Sequence, residues 1–155
     1  MKKKTLNAER RTPNVEWRPS KSWLRELPNA EYGSQKARNY DLEDRLLEFA
    51  VQVIEFTEAL PSTRAANHIA GQLLRSGTSP YGNHGEVESA ESRKDFVHKL
   101  RICLKELRET RRWLRLTNRL KTLPRPANLA SCIGEAEQLI RIFVASIRTA
   151  EKNDK

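Results

Sequence analysis

Six basic side chains recur through the middle of the chain at a helical interval. Arg101, Lys105, Arg108, Arg112, Arg115 and Arg119 are spaced 4, 3, 4, 3 and 4 residues apart, which puts them on one face of a helix. Like charges one turn apart disfavour an isolated helix by about a few tenths of a kcal/mol per pair. Six in register is therefore a costly way to solvate a surface, and a merely solvated face ordinarily mixes its signs. Between Arg93 and Lys121 there are eleven basic and three acidic residues. Five of the six stripe residues are Arg, whose planar fork matches phosphate oxygens better than the Lys ammonium does. The chemistry this implies is contact with a phosphate backbone, of RNA or of DNA. No base-reading motif accompanies the stripe, so such binding would be backbone-dominated and steeply salt-dependent.

The same region offers a different use for its charges. Glu86, Glu88 and Glu91 form an acidic cluster that, in a homo-oligomer, could pair with a neighbouring subunit's arginines. Exposed pairs of that kind contribute only ~0–1 kcal/mol each, yet they could set the register between subunits. Ile102, Trp113 and Leu116 fall on another flank of the stripe helix, away from its core side. They are expected at a subunit interface, where Trp is enriched.

Asp95 and His98 have the one-turn spacing of the carboxylate–histidine pair found in bundle di-iron sites. Those sites need two such motifs and further inward-facing glutamates. Only one is present, so a capping Asp and a surface His are expected, with no metal and no cofactor. Nor is there a phosphate-cradling glycine-rich motif, a Cys-x-x-Cys or a nucleophile elbow. His68, His84 and His98 have no Ser or Cys partner at helical spacing, and a non-catalytic protein is expected.

Four helices must carry these residues. Leu42, Leu46, Phe49, Val53, Phe56 and Leu60 keep one face of a first helix apolar, with Asp41 as its N-cap. Pro61-Ser62 ends that helix and supplies the next N-cap. A second helix runs through Ala66, Ile69, Leu73 and Ser76, and is expected to continue, kinked, across Gly77, Pro80, Gly82 and Gly85. Ser92, with Asp95 three residues on, resembles a capping box. It opens a third helix along Phe96, Leu100, Cys103, Leu107, Thr110, Leu114 and Thr117. After the stiff Leu123-Pro124-Arg125-Pro126 connection, a fourth follows Leu129, Ile133, Ala136, Ile140, Phe143 and Ile147. Gly134 inside it is expected to mark close packing. The fold class is all-α, an up-down four-helix bundle over residues 41–152.

Residues 1–40 read differently. Pro13, Pro19, Pro28 and Gly33 interrupt them, no apolar period survives more than one turn, and ten basic residues face four acidic ones. A basic, mostly disordered extension is expected. The chain of 155 residues carries a formal charge of +9 and two cysteines. Its basic start lacks the apolar run of a signal peptide, and no stretch approaches the roughly 20 apolar residues of a membrane span. A cytoplasmic protein is expected, with Cys103 and Cys132 as buried free thiols.

Several separated motifs between Asp41 and about Leu120 resemble the small bacterial "four helix bundle protein" family. They are Asp41-Leu42-Glu43-Asp44-Arg45, Phe49-Ala50, Gln72 to Ser79, Asn83, Ala90 to Leu100, Lys105-Glu106, Glu109-Thr110 and Trp113-Leu114. The family includes proteins encoded in intervening sequences of bacterial large-subunit ribosomal RNA genes, and the accessory variability determinant of diversity-generating retroelements. The resemblance implies a homopentameric barrel of bundles. For the retroelement member it also implies a basic surface that binds nucleic acid and a reverse transcriptase. Pro80-Tyr81 and the long basic extension depart from the family's pattern.

Overall fold

The structure, a computed structural model, describes residues 42–152. The expected extension over residues 1–40 and the Asp41 cap lie outside the described residues. Four helices are present: α1 (Leu42–Glu58), α2 (Arg64–Glu88), α3 (Arg93–Arg119) and α4 (Leu129–Lys152). No strand occurs among the described residues. Each helix packs along its predecessor, and α1 touches α4 more lightly to close the bundle.

The apolar periods meet at one core. Leu46, Phe49, Val53 and Phe56 of α1 pack with Ile69 and Leu73 of α2. Leu100, Cys103, Leu107 and Leu114 of α3 meet Leu139, Phe143 and Ile147 of α4 in the same cluster. Burial of these side chains, at about 25 cal/mol per Å² of apolar surface, is the main force holding the helices together. A polar pair crosses the α2–α3 seam within the core: Thr110 donates to the Ser76 hydroxyl at 3.1 Å. At the lighter seam, Arg45 Nε lies 2.5 Å from Glu135 Oε1, and Asn128 Nδ2 donates to the Gln52 carbonyl at 3.2 Å. These bonds tie α1 to the start of α4, where the two helices touch only lightly.

Two local expectations are corrected. The N-cap of α2 is Thr63, not Ser62: the Thr63 hydroxyl accepts from the Ala66 amide at 3.2 Å. Gly134 is not closely packed, since a Cβ there would meet nothing within 4 Å. The close approach is at Gly77 instead, where a Cβ would lie 2.6 Å from Val53 Cγ1. That contact lets α1 lie against α2 just before Pro80. The helix runs on through the proline to Glu88, although a mid-helix proline forfeits a backbone bond and crowds the preceding turn. Tertiary packing offsets this cost: Pro80 is fully buried, and its carbonyl accepts from the Cys103 thiol at 3.8 Å.

Candidate nucleic-acid interface

The length of α3 decides how the stripe is displayed. Ser92 accepts from the Asp95 amide at 3.1 Å, and the Asp95 carboxylate accepts from the Glu91 amide at 3.2 Å. With its start so capped, α3 holds its 27 residues in one register. Leu100, Leu107 and Leu114 point into the core. Arg101, Arg108 and Arg115, each one residue further on, are rotated outward by about 100°. All six predicted stripe residues are exposed, and they span roughly 27 Å at 1.5 Å per residue.

Their surroundings divide them. Arg101 Nη2 lies 2.5 Å from Glu151 Oε1 on α4, and Lys105 Nζ lies 3.7 Å from Glu106 Oε1. Arg108, Arg112, Arg115 and Arg119 make no ion pair among the described residues. The bundle thus leaves a run of unneutralised guanidiniums at the centre and far end of the helix. A charge left in water retains its field for an external anion.

The stripe is also one wall of a larger feature. A concavity of about 890 Å³ crosses the outer face of α3, lined by Arg101, Leu104, Lys105, Arg108, Arg112, Trp113, Leu116 and, from α4, Val144, Ile147 and Arg148. The carboxylates of Glu109 and Glu151 are also on its wall, Glu151 paired with Arg101 and Glu109 with Arg75. Arg115 and Arg119 continue the ridge beyond it. Arg148 is the residue that sequence reasoning missed. Its signal was present: Arg141 and Arg148 each follow a stripe residue of α4, Ile140 and Ile147, just as Arg101, Arg108 and Arg115 follow theirs. Both are exposed.

Glu86 is drawn toward Lys99 within its own bundle, at 4.0 Å. Glu88 and Glu91 are exposed at the α2–α3 turn. Ile102 is 37% exposed and Leu116 44%. Trp113 is half-buried, its ring edge-on to His68 at 5.7 Å between centroids, and its indole N–H reaches Glu109 at 3.5 Å. The Trp113 ring is therefore partly built into the α2–α3 seam. Lys99 hydrogen-bonds Asp95 at 2.9 Å and, with the Glu91 amide, holds its carboxyl below the ordinary carboxylate range. Asp95 is a cap and an ion-pair partner. No group of three or more potential metal ligands occurs among the described residues, and no described helix is long and apolar enough to cross a membrane.

A second apolar face, on α1, is not foreshadowed by the core-facing period. Leu47, Val51 and Ile54 of α1 are 42%, 38% and 41% exposed, a row spaced 4 and 3 residues apart.

Comparison with known proteins places this geometry in context. Residues 38–145 match the family described as "23S rRNA-intervening sequence protein". A solved protein of unknown function, from the S23 ribosomal protein family of Bacteroides thetaiotaomicron VPI-5482, is 33% identical. It aligns with a TM-score of 0.60 over 69% of this chain and 95% of its own. No curated protein matches the chain.

Proposed function

Because the chain belongs to the 23S rRNA-intervening sequence protein family, we propose that it is a non-catalytic, cytoplasmic adaptor that binds the backbone of RNA or DNA. The contact surface is the ridge from Arg101 to Arg119, joined by Arg148 across the α3–α4 concavity. One observation carries this reading: four consecutive stripe arginines face solvent with no acidic partner among the described residues. The protein would act as a homo-oligomer, a homopentamer by the family resemblance, so that the ridge is repeated and its field multiplied. It would serve as accessory to a nucleic-acid enzyme such as a reverse transcriptase.

A second reading has its own support. Leu47, Val51 and Ile54 share α1 with exposed Asp44, Glu48, Glu55 and Glu58. That acidic and apolar face complements the basic and apolar face of α3. Head-to-tail docking between copies would use both, and the ridge would then serve assembly alone. In that case the protein is a scaffold.

The test measures binding of RNA and DNA oligomers at low salt, together with the mass of the assembly. Wild type is compared with Arg108/Arg112/Arg115→Glu, which spares Arg101 because it is already engaged with Glu151. Binding lost at unchanged mass supports the adaptor. No binding by wild type, or a variant whose assembly dissociates, supports the scaffold.

A further inference from the structure

Resting on the nucleic-acid reading above, we infer that the α3–α4 concavity takes a single strand in preference to a duplex. A surface for duplex backbone needs only charge, because the base faces are stacked inside the double helix. This surface carries more. Leu116 stands 44% exposed beside Arg112, and partly buried Val144 lines the α4 side near Arg148, over the core residue Ile147. Half-buried Trp113 borders the same space. Apolar and aromatic side chains interleaved with cations are what a single strand uses, since its base faces are free to pack on them while its phosphates meet the arginines.

Dimensions favour the same occupant. Neighbouring helix axes lie about 8–10 Å apart, so the trough between α3 and α4 has room for one extended strand and not for a whole double helix. A duplex laid along α3 would rest on its crown, near Lys105 and Arg112, and would leave Arg148 and the α4 side chains uncovered. A single strand can enter the trough and reach both walls. The apolar lining favours stacking without reading base identity, so the preference is for strandedness and not for sequence.

The experiment compares single-stranded uridine and thymidine oligomers with a duplex of equal length, using the full chain at one low salt concentration. Inorganic polyphosphate serves as a base-free competitor. The single strands are expected to bind about tenfold more tightly than the duplex. Leu116→Ser is expected to weaken the single strand several-fold while sparing the duplex, and polyphosphate is expected to compete poorly. Equal or tighter duplex binding overturns the inference while leaving the backbone reading intact. So does an equal loss for both forms in the Leu116 variant, or competition by polyphosphate as strong as that of the strand. Failure of every nucleic acid to bind defeats both the inference and the reading beneath it.

Discussion

At the residue scale, the two informative glycines of the bundle behave oppositely, and the difference follows from what surrounds each. Gly134 has open space where a Cβ would sit, so Gly134→Ala removes a helix-interior glycine without a clash. It should raise stability by about 0.5–1 kcal/mol, read from chemical denaturation. Gly77→Ala should lower it, because the added methyl meets Val53 of α1 at the α1–α2 contact. If both substitutions move stability the same way, the packing assigned to these helices is wrong. The cysteines give a pH-dependent check. Burial pushes the Cys103 thiol up to about 12 and the Cys132 thiol up to about 11, against an unfolded value near 8.5. A thiol held neutral in the fold contributes stability that is present below the unfolded value and lost as pH rises toward the folded one. Native Cys103 and Cys132 should resist alkylation at pH 8 and react after unfolding. The fall in melting temperature above about pH 9 should be shallower in Cys103→Ala. Rapid alkylation of the native protein would contradict their placement in the core.

At the scale of elements, much was legible because α-helices convert spacing into faces. The α3 stripe needed no tertiary information: steps of 3 and 4 from Arg101 to Arg119 put the cations together and opposite Leu100, Leu107 and Leu114. Ser92 and Asp95 were legible as a cap for the same reason, since capping is local. Ser92→Ala should therefore cost about 1 kcal/mol, observed as a lower denaturation midpoint with helix content retained. A neutral effect would mean the cap is frayed in solution. What spacing could not supply was the partner of each face. Arg148 joins the concavity only because α4 packs antiparallel beside α3. The passage of α2 through Pro80 depends on Gly77 meeting Val53 and on the Cys103 contact, both distant in sequence. Local rules overstated the meaning of Gly134 for the complementary reason: its significance depended on a neighbour that is not there.

At the scale of the molecule, the charge distribution separates the two functional readings. The basic ridge of α3 and the acidic, partly apolar face of α1 lie on one bundle, and the composition, at +9 overall, hides that division. If the ridge serves nucleic acid, removing apolar exposure on α1 should leave each bundle's own contact with nucleic acid intact. Leu47→Ser/Ile54→Ser is expected to change the mass of the assembly while an isolated bundle still retains nucleic-acid affinity, weakened by lost multivalency. If the ridge serves assembly, the same double variant and the arginine variant should share one phenotype, namely dissociation. Sedimentation of the two variants side by side separates these patterns.

The most direct test of the central claim is the salt dependence of single-stranded RNA binding. Affinity is measured over a range of monovalent salt for wild type and for Arg108→Ala, Arg112→Ala and Arg148→Ala. Four unpaired stripe arginines and Arg148 facing phosphates predict a log–log slope of about −3 to −4, and each single variant should reduce its magnitude by close to one counterion. A slope near zero, or a steep slope that the three variants leave unchanged, would contradict an interface on the α3 ridge.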